Sequence, residues 1–199
     1  LFTAYIGSDF YREGEIAVTW LEKFLEKQGR TEEPIRIVHI QGTMGSAAQI
    51  GRTEALEEAV RQHPNWEIIA QECGDFTRAK AYEVMSAILK KTKDIDVVYC
   101  ENDGEALGAI DAMEEAGLKC NPYDGVIVIS FDATRLGLEY TLAGKIALNV
   151  ECNPLQGPYI DKIIKKLDRG ESIERITYVD ETWFDFTGIT REIIDSRPY

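Results

Sequence analysis

The chain has 199 residues, of which 44% are hydrophobic and 29% are charged. This composition supports a folded core and excludes a disordered or fibrous protein. Acidic side chains outnumber basic ones by 35 to 22, which gives a net charge of −13. Because this charge repels a phosphate backbone, we do not expect nucleic acid as a partner. The sequence contains no apolar run of the ~20 residues that a membrane-spanning helix needs.

Apolar residues alternate between helical and extended spacing over residues 10–150. A helix is predicted first, over residues 16–25, and short apolar runs then predict five strands separated by four further helices. The predicted strands are 35–40, 67–73, 95–100, 126–131 and 146–150. This pattern predicts an α/β fold, a doubly wound parallel five-stranded sheet of order 2-1-3-4-5 flanked by helices.

The alternation ends after residue 150. Pro154 precedes a helical stripe, and an extended piece with the aromatic pair Trp183-Phe184 follows over residues 176–184. The stripe consists of Ile160, Ile163, Ile164 and Leu167. This segment does not continue the βα repeat.

Polar and aromatic residues follow the predicted strands, where the loops of a parallel α/β sheet form the ligand crevice. The candidate site residues are Arg52, Phe76, Asn102, Asp103, Asp132, Arg135 and Glu151. Structural alternatives stay open: Asp103 as a helix cap, Arg52 as a solvated charge and Phe76 as part of the core. As a set, these carboxylates, amide, guanidinium groups and ring suit a neutral polyhydroxylated ligand. Hydroxyls both donate and accept hydrogen bonds, and the C–H faces of a sugar pack on rings.

Other kinds of site find little support in the sequence. The turn Gly42–Gly45 follows a strand but matches neither dinucleotide nor P-loop spacing. With two histidines, no Cys-x-x-Cys and no Gly-x-Ser-x-Gly, neither a zinc site nor a serine hydrolase is expected. We therefore expect no cofactor and no metal ion. The four cysteines are predicted to be free and mostly buried, because the strands that would end in three of them are not neighbours in the predicted order.

Five motifs occur in order along the chain. They are Gln41-Gly42-Thr43 with Gly45-Ser46 and Arg52, then Gly74–Arg78, Glu101-Asn102-Asp103 with Ala106–Ala109, Ser130–Thr134, and Glu151–Pro154. In this combination the sequence resembles the type I periplasmic sugar-binding proteins, and within them it is most similar to the galactofuranose-binding branch. The likeness covers nearly the whole chain. The same superfamily includes the effector domains of LacI-type repressors.

The resemblance implies that Arg52, Phe76, Asn102, Asp132 and Glu151 occupy positions that contact sugar. Glu151 stands where the ribose binders have glutamine. The resemblance also implies one lobe of a two-lobed clamp, with the N-terminal lobe outside this sequence. On this interpretation residues 1–8 are a hinge crossing and residues 9–150 are the C-terminal sugar-binding lobe. Residues 151–199 then form a second crossing, a helix packed on the other lobe and a returning segment.

These implications define the expected function. The chain is expected to belong to an extracytoplasmic solute-binding protein, periplasmic or extracellular, with a signal peptide or a lipid anchor encoded upstream. Its expected partners are a galactofuranose-like or ribose-like monosaccharide, the permease subunits of an ABC importer, and a second copy through the 155–169 helix. Two alternatives remain: an effector domain of a LacI-type regulator, and a sugar-modifying enzyme that uses paired carboxylates for acid–base work.

Overall fold

The computed structural model describes residues 2–199, so Leu1, the first residue of the predicted crossing 1–8, lies outside the described residues. The strands are β1 (Tyr5–Gly7), β2 (Ile35–Gln41), β3 (Trp66–Cys73), β4 (Val97–Cys100), β5 (Ile127–Asp132), β6 (Leu148–Glu151), β7 (Ile176–Tyr178) and β8 (Trp183–Asp185). The helices are α1 (Phe10–Lys27), α2 (Ala47–Gln62), α3 (Arg78–Leu89), α4 (Asp103–Glu115), α5 (Arg135–Leu142), α6 (Gly157–Asp168) and α7 (Arg191–Ser196).

The main sheet has the order β3-β2-β4-β5-β6-β8. Its first five strands are parallel, which confirms the predicted order 2-1-3-4-5. The prediction of five strands was one short, because β8 adds an antiparallel edge in which Val150 lies opposite Trp183. The sequence predicted an extended piece that includes Trp183-Phe184, but three residues are too few to show a period of two, so the pairing of this strand with the main sheet was not predicted.

A small second sheet joins a segment near the start of the chain to the segment that follows α6. Strands β1 and β7 pair in parallel, with Tyr5 opposite Ile176 and Gly7 opposite Tyr178. The predicted extended piece 176–184 is therefore divided, since its first part joins β1 and its last part joins the main sheet.

The core lies on both faces of the main sheet. Helices α1 and α2 cover one face, where Leu21 and Leu56 pack with Ile37 of β2. Helices α3 and α4 cover the other face, where Met85 and Ile110 are fully buried. Because both faces are covered, the strands are apolar on both sides, and their carboxyl ends form one edge of the sheet.

Helix α6 differs from the other helices of the main body because none of its residues is buried. Its apolar stripe remains open, with Ile160 43% exposed, Ile164 52% exposed and Leu167 45% exposed. Over residues 2–199, no helix combines the length and the apolarity that crossing a bilayer requires.

All four cysteines, which lie within the described residues, are free. Cys100 and Cys120 are buried, and Cys73 and Cys152 are half-buried. The structure thus agrees with the prediction that the cysteines are unpaired, but only two of the four are buried, so the prediction that they are mostly buried was too strong.

Candidate functional site

Two loops at the carboxyl edge of the main sheet carry an unusual backbone. After β3, Asp75 and Phe76 have φ angles of 54° and 56°, and at the end of β5, Asp132 and Ala133 have φ angles of 95° and 52°. Side chains with a Cβ rarely occupy this left-handed region, and such strain concentrates at functional sites. Both loops therefore mark the edge where the sequence predicted a site.

Arg52, in the second turn of α2, lies at the centre of this edge and is only 2% exposed. Its Nε donates to Glu13 Oε2 at 2.7 Å, its Nη2 donates to Asp132 Oδ1 at 3.3 Å, and its Nη1 donates to the main-chain oxygen of Glu101. The guanidinium carbon lies 4.7 Å from the centre of the Phe131 ring. Burial opposes its charge, but Glu13 and Asp132 hold the pKa of Arg52 above its ordinary value. Arg52 is therefore a fixed internal cation, which rules out the solvated helical charge.

Asp132 and Glu151 lie opposite each other on β5 and β6. The Asp132 side chain is 32% exposed, so its carboxylate contacts Arg52 while it also faces solvent. Burial raises the pKa of Asp132, and Arg52 acts in the opposite direction. The Glu151 carboxylate is already occupied, because Oε1 accepts from Arg197 Nη2 at 2.9 Å and from the Tyr199 hydroxyl. Of the two, Asp132 has the more available carboxylate.

Phe76 and Asn102 form a second pair along the same edge. Asn102 caps α4, since its Oδ1 accepts from the Glu105 amide at 2.8 Å, and its Nδ2 donates to the Phe76 main-chain oxygen at 3.2 Å. The half-buried Phe76 ring lies directly on Gly42, where an added Cβ would come within 2.0 Å of a ring carbon. Gly42 is therefore required for the ring to take this place.

Asp103 has a role inside the protein. It is 2% exposed and accepts hydrogen bonds from Ser130 Oγ at 2.6 Å, Asn149 Nδ2 at 2.6 Å and the Thr134 amide at 2.7 Å. Burial raises the pKa of Asp103 to about 6, although these donors lower it. Asp103 does not cap its own helix, because Asn102 does so. It ties α4 to β5, β6 and the loop that follows Asp132.

Arg135, the first residue of α5, lies apart from the other candidates. Its side chain is 56% exposed and forms an ion pair with Asp195. The structure thus gathers Arg52 with Asp132 and Phe76 with Asn102, and places Glu151 beside Asp132, whereas Arg135 points to α7.

Buried carboxylates outside the predicted set organise this edge. Glu101 is fully buried, accepts from Thr53 Oγ1 at 2.6 Å and from the Gly42 amide at 2.7 Å, and lies 3.0 Å from His39 Nε2. Its position directly after a predicted strand was the signal in the sequence. Glu13 follows β1, a three-residue strand that the sequence pattern did not show.

Comparisons with known proteins show which family the chain is similar to. Residues 3–157 match the family described as "Periplasmic binding protein domain". The galactofuranose-binding protein of Escherichia coli (strain K12) is 34% identical over 188 residues, which are 92% of this chain and 57% of that protein. The ribose import binding protein of Salmonella typhimurium (strain LT2) is 30% identical over 178 residues, which are 89% of this chain and 56% of that protein.

A solved structure of a sugar-bound protein has a similar fold. A protein of Mycobacterium smegmatis in complex with β-D-fucofuranose superimposes with a TM-score of 0.83 at 35% identity, over 94% of this chain and 60% of that one. The chain spans a little over half the length of the curated relatives it matches. The chain belongs to the periplasmic binding protein domain family and has the type I fold of its sugar-binding members.

Proposed function

We propose that the chain is the C-terminal lobe of an extracytoplasmic solute-binding protein that supplies a monosaccharide to an ABC importer. The observation that carries this proposal is the pair of Arg52 and Asp132 at the strand ends. A partly exposed acceptor is held there by a buried, permanently charged donor. One relative is named for binding galactofuranose and a solved neighbour holds β-D-fucofuranose, which supports a sugar with a furanose ring. A second relative is named for ribose import.

Each proposed contact has a separate task. The Asp132 carboxylate accepts from sugar hydroxyls, and Arg52 fixes its orientation before the ligand arrives, so that little ordering is needed on binding. The Phe76 ring packs on a C–H face of the sugar, and Asn102 holds the loop that presents this ring. Asp103 acts as a positioning residue for the Asp132 loop.

Glu151 and Arg135 take smaller parts. Because Arg197 and Tyr199 occupy the Glu151 carboxylate, we propose that Glu151 shapes the wall of the site through these two side chains. The resemblance implies glutamine at this position in ribose binders, so Glu151 argues against ribose as the ligand. The charge of Arg135 is balanced by Asp195 on α7, so we propose that Arg135 reaches the sugar only after this ion pair opens.

Binding is proposed to proceed by closure of two lobes without covalent chemistry, because hydrogen bonds from both walls form only in the closed state. Residues 9–150 form one wall, and residues 1–8 and 151–199 contain crossings toward the other lobe. One wall offers part of the hydrogen bonds, so this chain alone should bind sugar only at millimolar concentrations. The permease is the proposed partner of the closed protein, and a lipid anchor or a signal peptide would belong to the encoded precursor.

We propose that one of two surfaces packs on the open apolar stripe of the 155–169 helix. In the two-lobed protein the other lobe would cover it, and in this chain alone a second copy would do so. Both occupants bury the same residues, Ile160, Ile164 and Leu167.

Heteronuclear NMR on the ¹⁵N-labelled chain tests the sugar proposal, because shift changes detect millimolar binding and locate it. The probe is methyl β-D-galactofuranoside, and the matching galactopyranoside tests the ring form. We expect shifts confined to residues 74–78, 101–103 and 130–135, and a loss of affinity of about tenfold or more in Asp132→Asn. Asp124→Asn, at an exposed carboxylate paired with Lys119 and not with any candidate site residue, is the matched control.

Three results would contradict the proposal. Shifts distributed away from these loops would show that the sugar binds elsewhere. Equal affinity in Asp132→Asn and the unaltered chain would show that Asp132 does not contact the sugar. Micromolar affinity of the chain alone, measured by calorimetry, would contradict the two-lobe mechanism.

A further inference from the structure

Three connecting segments meet beside Arg52. Ser8 follows β1, Cys152 follows β6, and Glu181 lies between β7 and β8. Glu13, in the first turn of α1, completes the group. Ligand atoms of Glu13, Cys152 and Glu181 all lie within 4.8 Å of one another. A thiol and two carboxylates from distant parts of the sequence are thus gathered at one point.

We propose that Glu13, Cys152 and Glu181 bind a divalent transition-metal ion, preferentially Zn²⁺, which ties the three connecting segments together. Among residues 2–199, Glu13 Oε1 finds no hydrogen-bond partner, although Glu13 is only 1% exposed. A buried carboxylate oxygen without a partner is costly, and a cation at this point would satisfy it.

Arg52 does not occupy this position. It contacts the other oxygen, Glu13 Oε2, and shares its charge with Asp132. Glu181 and Asp132 both act on Glu13 as like charges, so the carboxylates around this point outnumber the one guanidinium. The excess of negative charge favours a divalent ion despite the nearby arginine.

The donor set selects the kind of ion. A thiolate is a soft ligand that favours zinc over magnesium or calcium, and carboxylates complete many zinc sites. Tetrahedral bonds of about 2.0–2.3 Å place ligand atoms about 3.5 Å apart, so the group needs only a modest contraction. The Ser8 hydroxyl lies 3.4 Å from Cys152 Sγ and 2.5 Å from Glu181 Oε1, where it or a water molecule would be the fourth ligand.

Protons compete with the ion for these ligands. Burial, with the nearby carboxylate of Glu13, raises the pKa of Cys152 to about 12, and burial raises the pKa of Glu13 to about 8. Metal binding must displace these protons, so the affinity should increase with pH. This proposal departs from the expectation of no metal ion. Sequence patterns could not indicate the site, because its ligands are 139 and 29 residues apart and follow no zinc spacing.

The first test uses the unaltered chain, freed of any histidine tag and stripped with chelator. Zn²⁺ at a hundredfold excess over its Kd should raise Tm by about 5–10 °C, whereas Mg²⁺ and Ca²⁺ should not. Co²⁺ should give a thiolate charge-transfer band, and Zn²⁺ should protect Cys152, but not Cys73, from alkylation as mapped by mass spectrometry. Absence of the Co²⁺ band and of protection at millimolar metal would overturn the proposal.

The second test uses variants. Cys152→Ser and Glu181→Gln should each lower Co²⁺ affinity at least tenfold, and Cys152→Ser should abolish the charge-transfer band. Cys73→Ser, at the other half-buried cysteine, is the matched control and should keep both. If Cys152→Ser bound Co²⁺ with the same spectrum as the control, the ion would lie elsewhere and the proposal would fail. These measurements contain no sugar, so their outcome is independent of the sugar-binding proposal.

Discussion

Helices α4 and α6 are similar in length, with 13 and 12 residues, but their environments are opposite. Helix α4 packs against α3 and the main sheet and buries residues along its whole length. Helix α6 buries none of its residues and leaves three apolar side chains open. The main sheet and its helices therefore form a self-sufficient core, whereas α6 presents a surface that residues 2–199 do not cover.

Small residues explain the close packing of α4. An added Cβ on Gly108 would lie 2.1 Å from the main-chain oxygen of Arg78, so α3 and α4 are in direct backbone contact there. The same α4 carries Asp103 and Glu105 into the interior, where both are buried. Dense packing in this half of the molecule thus fixes the strand-end loops that form the candidate site.

The strongest test of the self-sufficient core is Arg52→Met. This change leaves Glu13 and Asp132 without their cation, and breaking a buried ion pair in this way costs about 3–5 kcal/mol. Urea denaturation should show this loss in the free energy of unfolding. Arg135→Ala, which breaks an exposed pair, should cost only about 0–1 kcal/mol. Equal losses in the two variants would show that the Arg52 cluster does not support the core.

A pH titration examines the same core through Glu105. Burial raises its pKa from the ordinary 4.5 to about 8, and Oε2 has no hydrogen-bond partner among residues 2–199. The folded state therefore keeps a proton that the unfolded state loses above pH 4.5. This contribution to stability is complete below about pH 4.5 and is lost as pH rises toward 8, a decrease of about 4–5 kcal/mol.

Glu105→Gln isolates this contribution. Its amide oxygen can still accept from the Phe76 amide, and it does not titrate, so stability should vary less between pH 5 and pH 8. Glu83→Gln, at an exposed carboxylate on α3, should leave the slope unchanged. An unchanged slope in Glu105→Gln, measured by urea denaturation at each pH, would refute the buried proton.

The sequence predicted the parallel sheet because strands such as β5 are apolar on both faces. Such strands are expected where helices cover both faces of a parallel sheet. The sequence also placed Asp132 at a strand end and Arg52 in the helix that follows another strand, and the structure brings the two side chains within hydrogen-bond distance. The sequence could not separate Asp103 from Asp132, because a carboxylate after a strand has the same pattern whether it faces solvent or bridges buried donors. Only the fold shows that Asp103 has four buried or half-buried donor atoms around it.

Contacts made by short segments were beyond prediction for another reason. Glu13 follows a strand of three residues, and Arg197 reaches Glu151 from the end of the chain. Neither position lies in a periodic pattern. The Arg197 contact depends on where the tail returns, and the pairing of β8 with β6 brings the tail back to the main sheet.

The smallest expected effect concerns the open stripe of α6 and sharpens the contrast with α4. Ile110→Ala, in the core, should cost about 2–5 kcal/mol, whereas Ile164→Ala should change the free energy of unfolding of the monomer by less than about 0.5 kcal/mol. If a second copy covers the stripe, the chain should sediment as a concentration-dependent dimer and Ile164→Ala should weaken it. A strict monomer at all concentrations would leave the other lobe as the occupant. A loss of several kcal/mol in monomeric Ile164→Ala would mean that α6 packs against the core, and the contrast between the two helices would be wrong.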